Sequence, residues 1–488
     1  MKTTPVLIRQ LNTGVAGLDA ILGGGLPEFS FNIIAGAPGS GKSTLAHHLM
    51  FSMATLERTA LYFTVLGEPP LKMLRYQQQF TYFDSAAIGH RVHFVNVADE
   101  ASTSGPEGVL KRIALEVRQH GPAFVFVDSF RSIMLAGKEL HRSAARLQRF
   151  LQELGVLMTT WQATSFLIGE YFSERDPDPV FTVADGLIWL RQSVERNSVV
   201  RKLDVTKMRG QASLPGLHTF RIGSNGVTVF PPVNVGSRPA VSAWPIRERV
   251  SMGIAKLDEM MGGGLPRGYS LLVAGPSGSG KSILASAFLA EGAKHGERAV
   301  IAAFEQRVHR SRGAAVAELI EAGSIGVIDT TPADLSVDEI AALVIAEVTR
   351  LGATRIVIDS LSGFELSLAP TFRQDFRESM ARMVSALVDT GATVLMTSEL
   401  EDRYDDLRFS PYGTAFMTDA IVVQRYVEID SRLQRVLAVV KVRGSAHSDE
   451  LRLFHIDDDG IQIDGMILDH EGILGGRPRR LAAQASDE

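Results

Sequence analysis

Short, almost wholly apolar runs alternate along this chain with longer amphipathic stretches. Phe31-Asn-Ile-Ile-Ala35 and Leu271-Leu-Val-Ala274 each end at a glycine-rich turn. Runs this short, with little polar alternation, predict strands buried on both faces, as in a parallel sheet. Residues 60–65 and 299–304, 123–128 and 355–359, and 156–160 and 393–397 read the same way. Residues 45–53 and 283–293 predict helices that start just past the glycine turns. In 107–120 and 337–351 apolar residues recur every three or four positions, the pattern of an amphipathic helix. An aspartate, Asp185 or Asp419, then opens a further apolar run. A basic strand end follows, Lys207-Met-Arg209-Gly210 or Lys441-Val-Arg443-Gly444. A hairpin-like strand pair closes each half, around 219–229 and 453–463.

These pairs arise from one duplication. Gly14-Val-Ala-Gly-Leu-Asp19 and Gly23-Gly-Gly-Leu-Pro27 recur as Gly253-Ile-Ala-Lys-Leu-Asp258 and Gly262-Gly-Gly-Leu-Pro266. The interval is constant, since 253 − 14, 266 − 27 and 281 − 42 all equal 239. So long a period means a tandem pair of whole domains rather than a solenoid. We expect domains at 8–230 and 247–465, a proline-bearing linker at 231–246 and a flexible tail at 466–488.

The glycine turns carry the chemistry. Gly36-Ala-Pro-Gly39-Ser40-Gly41-Lys42-Ser43-Thr44 and Gly275-Pro-Ser-Gly278-Ser279-Gly280-Lys281-Ser282-Ile283 both fit G-x-x-x-x-G-K-[ST]. In such a loop successive N–H groups face an anion, the lysine reaches the β- and γ-phosphates, and the hydroxyl ligates Mg²⁺. The runs ending in Asp128 and Asp359 have the Walker B form, a buried strand delivering a carboxylate near that ion. Apolar residues before an aspartate are a weak signal alone; recurrence after each phosphate loop makes it strong. ATP and Mg²⁺ are the expected ligands.

Composition narrows the class. Of 488 residues, 45% are apolar and 22% charged, with a net charge of −5 and no cysteine. That excludes disulfides, cysteine-ligated zinc and thiol catalysis, and argues against a broad nucleic-acid footprint. The amino terminus lacks the apolar core of a signal peptide, and no apolar run approaches the ~20 residues of a membrane span, so a soluble cytoplasmic protein is expected.

Taken together, the GxxxLD and GGGLP motifs, both Walker motifs and the terminal K-x-R-G resemble the double-domain RecA-like ATPases of the KaiC family, over about residues 8–465. The resemblance implies an α/β fold: tandem RecA-like P-loop domains, each with a central, mostly parallel sheet flanked by helices. It implies homohexamers of two stacked rings with ATP between subunits, and a protein signalling partner. It marks Lys42, Ser43, Thr44, Lys281 and Ser282 as phosphate and Mg²⁺ groups, with Asp128 and Asp359 as the Walker B acids. Lys207, Arg209, Lys441 and Arg443 become pairs that reach the γ-phosphate of the adjacent subunit.

Two departures matter. Where the family has adjacent glutamates, the second half reads Glu305-Gln306, leaving Glu305 as base and near the metal. The first half reads Leu66-Gly67, with Glu68 one place late. A one-residue shift in a strand reverses the face, so the first site is expected to be slower. The clock members' adjacent Ser-Thr phosphosites are here Ala415-Phe416, leaving Thr414 and Ser410 as candidate acceptors for a Ser/Thr autokinase. A DNA-dependent recombination motor and a nucleotide-gated scaffold with negligible turnover stay open as alternatives, because fold alone does not fix function.

Overall fold

The structure is a computed structural model. It describes residues 8–64, 70–129, 143–171, 180–195, 198–233, 248–304, 314–328, 335–368, 372, 376–400, 417–429, 431–467, 470–472 and 479–480. The chain divides into two compact units, Met1–Pro232 and Val233–Glu488.

In the first unit the main sheet has nine strands, in chain order β1 (Phe31–Gly36), β2 (Ala60–Thr64), β3 (Val92–Asn96), β4 (Phe124–Asp128), β5 (Thr164–Glu170), β6 (Gly186–Glu195), β7 (Ser198–Met208), β8 (His218–Gly223) and β9 (Gly226–Phe230). Their order in the sheet is β9-β8-β7-β6-β1-β5-β4-β2-β3. From β6 to β3 every neighbour is parallel; β7, β8 and β9 extend the sheet as an antiparallel meander. The second unit repeats the plan with β10 (Ser270–Gly275), β11 (Ala299–Ala303), β12 (Ile325–Ile328), β13 (Arg355–Asp359), β14 (Thr393–Glu399), β15 (Ala420–Ile429), β16 (Arg432–Val442), β17 (Arg452–Asp457) and β18 (Gly460–Met466). Its order, β18-β17-β16-β15-β10-β14-β13-β11-β12, is the first order shifted by nine. Within the stretch expected to be a flexible tail, His470–Glu471 pairs with Arg479–Arg480.

Helices cover both faces of each sheet, and strand periodicity assigns the residues. Ile34 faces α1 (Lys42–Met53), packing with Leu45 and Leu49; Ile33 and Ala35 face α2 (Gly105–His120) and α3 (Ser143–Thr160), packing with Ile113 and Leu154. In the second unit Leu271 and Val273 pack with Leu284 and Phe288 of α4 (Lys281–Lys294). Leu272 and Ala274 pack with Val344 of α5 (Val337–Leu351) and Met383 of α6 (Phe376–Asp389). A capping box between Ser336 and Glu339 starts α5, and Gly352 in a left-handed conformation ends it.

The expected strand at Val156–Thr160 is wrong. Those residues are the last turns of α3, and the strand is Thr164–Glu170. Phe150, Leu154 and Met158 are buried at helical spacing while Val156 is exposed. The Thr159 and Thr160 hydroxyls donate to the carbonyls of Gly155 and Val156, four residues back. The repeat interval has fallen there to 229 (393 − 164), so the likeness of Val156-Leu-Met-Thr-Thr160 to the second-half strand lies between different elements.

The GxxxLD aspartates prove to be structural. Asp19 accepts hydrogen bonds from the Thr13 N–H and hydroxyl, and Asp258 accepts them from the Ser251 hydroxyl and Met252 N–H, folding the segment that leads into the short helices Leu18–Leu22 and Ala255–Met260. One ion pair is conserved with its charges exchanged. Glu28 meets Arg58 at 2.8 Å in the first unit; at the same repeat positions Arg267 meets Glu297 at 2.7 Å in the second. There Glu297 also binds Arg355, the buried first residue of β13, whose guanidinium donates to the Ser251 and Phe288 carbonyls. Gly292 makes room for it, since a Cβ there would lie 2.5 Å from Arg355 Nε. The first unit fills the equivalent space with Met53 and Phe124, both buried.

Candidate active sites

Each phosphate loop follows the central strand, β1 or β10, at its C-terminal end, and leads into α1 or α4. Gly41 and Gly280 cap those helices with φ of 101° and 106°. That left-handed backbone favours glycine, and a Cβ there would also come within 2.7 Å of Ile222 Cδ1 and 2.8 Å of Ile456 Cδ1. The Lys42 ammonium donates to the Ala37 carbonyl at 2.9 Å; Lys281 donates to Gly275 and Pro276. Burial lowers the pKa of Lys42, opposed by the charges of Glu170 and Asp128. Ser40 is fully buried, and Ser279 donates to the Gln424 side chain at 3.0 Å. Ser43 and Ile283 are exposed at the helix starts, with Thr44 and Ser282 partly so. A glycine cradle, a helix N-terminus, a lysine and a hydroxyl form a donor set that fits a triphosphate with Mg²⁺.

The Walker B strands bring Asp128 and Asp359 beside these loops. Asp128 Oδ2 accepts hydrogen bonds from Ser43 Oγ at 2.8 Å and Tyr62 Oη at 2.7 Å. Burial raises the pKa of Asp128; the Tyr62 and Ser43 hydrogen bonds and the Lys42 charge act the other way. Tyr62 stacks on His47 of α1 at 4.6 Å between ring centroids. Burial, partly offset by the Ser43 carbonyl, pushes the pKa of His47 down to about 4. Asp359 instead accepts a hydrogen bond from the Thr397 hydroxyl on β14. The peptide bonds Asp128–Ser129 and Asp359–Ser360 are both cis.

The Lys-x-Arg pairs lie elsewhere. Lys207 and Arg209 close β7 beside Asp185, and the Asp185 N–H donates to the carbonyl of Phe31, the first residue of β1. Lys441 and Arg443 sit equivalently beside Asp419 and Ser270. The phosphate loop is at the other end of the same central strand. Six residues at about 3.3 Å per residue place these ends roughly 17 Å apart. Lys207 donates to the carbonyls of Phe181 and Thr182, and Lys441 to that of Thr418. Glu68, Glu305, Thr414 and Ser410 lie outside the described residues.

Sequence reasoning passed over Tyr62, Thr397, Gln424, Glu170 and Glu399. The first three sit inside runs whose apolar character hid them. Glu170 and Glu399 pair in register with Gly36 and Gly275, next to the phosphate loops. Aligning β5 with β14 would have exposed that shared strand-ending glutamate.

A duplicated parallel α/β sheet with a glycine phosphate loop at the end of each central strand and a Walker carboxylate two strands away defines a tandem RecA-like P-loop ATPase. The family described as "ATPase: KaiC" matches residues 11–234 and again 250–466, and the chain belongs to it. It is similar to the Circadian clock oscillator protein KaiC of Thermostichus vulcanus, 26% identical over 501 aligned positions that cover 99% of this chain and 94% of the relative. The protein of the same name from Parasynechococcus marenigrum (strain WH8102) is 26% identical, covering 100% and 96%. Circadian clock oscillator protein KaiC 1 of Synechocystis sp. is 26% identical, covering 99% and 94%. Among the described residues no helix is long and apolar enough to cross a membrane.

Proposed function

We propose that this chain hydrolyses ATP as a ring of six copies, each nucleotide being completed by the Lys-x-Arg pair of the neighbouring copy. One observation supports this most. In both units the phosphate loop and the Lys-x-Arg pair lie at opposite ends of the central strand. A γ-phosphate held by Lys42 is therefore beyond the reach of Arg209 in the same unit, and a complete site needs a second copy.

In this reading the loop N–H groups with Lys42 or Lys281 bind and orient the phosphates. The Ser43 or Ser282 hydroxyl, together with Asp128 or Asp359, would hold Mg²⁺, which when bound would neutralise charge on the phosphate oxygens. Glu305 orients the attacking water and accepts its proton in the second unit. The first unit, with Leu66-Gly67 at that place and Glu68 displaced, turns over slowly. Autokinase transfer in the second unit goes to Thr414 or Ser410, and nucleotide state governs docking of a protein signalling partner. Light scattering behind size exclusion tests the ring: six-subunit mass in saturating MgATP, dissociating when nucleotide is removed. Monomers in saturating MgATP would overturn the reading. Phosphosite mapping after incubation with γ-labelled ATP tests the kinase part, which fails if neither Thr414 nor Ser410 is labelled.

A further inference from the structure

We infer that Asp185 and Asp419 are positioning residues for the arginines of the two Lys-x-Arg pairs, fixing each arginine to the start of the strand that carries its own unit's phosphate loop. This rests on the reading of those arginines as trans-acting groups.

The same clasp is built twice. Asp185 Oδ2 accepts the Phe31 N–H at 3.0 Å, and Asp419 Oδ2 accepts the Ser270 N–H at 3.0 Å and the Ser270 hydroxyl at 2.9 Å. With one oxygen held by the backbone of the central strand, the carboxylate cannot swing. The other oxygen, Oδ1, accepts Nη1 of Arg209 or Arg443, at 3.1 Å in both units. The arginine's own N–H donates to the carbonyl of the same aspartate, at 2.9 Å for Arg209 and 2.8 Å for Arg443. Each aspartate thus holds its arginine by main chain and side chain together.

A staple for the sheet end would not need the carboxylate. The backbone bonds alone close that end, and any residue could make them. Nor is stability the reason. The arginine side chains are 58% and 55% exposed, where an ion pair adds little. The Nη1 tether, joined in Arg209 by Nη2 donating to the Thr182 carbonyl at 3.3 Å, restricts a long, flexible side chain, and a guanidinium carries five N–H donors with which to meet a phosphate oxygen as well. Arg209 and Asp185 also line an open cleft with Arg9 and Phe29, so the tethered group faces accessible space. The carboxylate offsets the repulsion between the arginine and its companion lysine as well. Burial and the nearby arginine lower the pKa of Lys207 and Lys441, while Asp185 and Asp419 act the other way. In a ring, the arginine aimed at one nucleotide is then anchored to the strand that cradles another.

The test uses the full chain with both units altered together: Asp185→Asn with Asp419→Asn, Arg209→Ala with Arg443→Ala, and all four changes combined. Asparagine keeps one side-chain oxygen for the backbone N–H and puts an NH₂, which cannot accept, where Oδ1 met the arginine, so the fold contact stays and the carboxylate tether is lost. We expect the asparagine variant to lower kcat roughly ten- to a hundredfold, with KM for ATP within about twofold of the parent. The combined variant should be no slower than the arginine variant alone, because the aspartates act through the arginines. Equilibrium binding of a fluorescent ATP analogue and thermal melting confirm that the variants are folded. Parental kcat in the asparagine variant, with the arginine variant inactive, would overturn the clasp. So would losses that multiply in the combined variant, or a fall confined to binding or melting. Parental turnover in the arginine variant would overturn the trans-acting reading itself, and the clasp with it.

Discussion

The two Walker carboxylates occupy the same position in two nearly identical sheets, yet each is held by a different neighbour. Besides Ser43, Asp128 takes a hydrogen bond from Tyr62 on β2, on one side of its strand; Asp359 takes one from Thr397 on β14, on the other. At the Tyr62 position the second unit has Ile301, and at the Thr397 position the first has Ile168, both buried. Beneath them the first unit carries His47 where the second has Ser286, whose hydroxyl turns back onto the Ser282 carbonyl. Duplication preserved the backbone register that presents the carboxylate, and each copy then solved its orientation separately. A phosphate loop is constrained at nearly every atom, whereas the support of a carboxylate can come from any strand that reaches it.

Four experiments press on this comparison, from the largest expected effect to the smallest. Glu305→Gln should cut steady-state ATP turnover by roughly 10²–10⁴-fold, the range for a lost general base, while Glu68→Gln changes it little. The opposite result would make the first unit the engine. Arg355→Ala should destabilise the second unit by about 3–5 kcal/mol, because Glu297 and two carbonyls lose a buried donor. Arg58→Ala, at a partly exposed pair, should cost about 1 kcal/mol or less in the first. Hydrogen exchange resolved by unit would separate the two.

The third concerns acid. The folded pKa of His47, about 4, is below its ordinary 6.5. As pH falls through 6.5 the unfolded chain takes up a proton that the folded unit refuses. The first unit should therefore lose stability from about pH 6.5 downward, levelling near pH 4, by on the order of 3 kcal/mol. His47→Leu should remove that slope, and an unchanged slope would count against it. Last, Tyr62→Phe keeps the ring and removes one charge-assisted hydrogen bond worth about 1.5–3 kcal/mol. It should raise the Mg²⁺ concentration needed for nucleotide binding by the first unit roughly tenfold, read in a Lys281→Ala background. Thr397→Val should do the same to the second unit in a Lys42→Ala background.

Much of the fold could be read from the chain because its core strands are apolar on both faces and recur in the same order in both halves. Val337–Leu351 and Arg355–Asp359 lie where periodicity put them. Val156–Thr160 misled because five residues of apolar and threonine character satisfy strand and helix alike. Only the burial of Phe150, Leu154 and Met158 decides between them. The phosphate loops and Walker acids were visible because their chemistry restricts residue type at fixed spacing. The carboxylate supports were not, since Tyr62 and Thr397 act across strands from positions where an apolar residue would serve the core equally well. Asp185 and Asp419 were noticed as a recurring pattern, but their link to the arginines exists only once β6 and β7 pair.

The exchanged ion pair has a genetic consequence. Two copies of one ancestral segment lying in tandem invite crossover between them. A hybrid unit joined between positions 28 and 58 would set Glu28 against Glu297, or Arg267 against Arg58. Like charges facing each other in a largely covered site penalise that product. The reversed pair therefore marks each half as belonging with itself, and it would tend to keep the two copies from being homogenised.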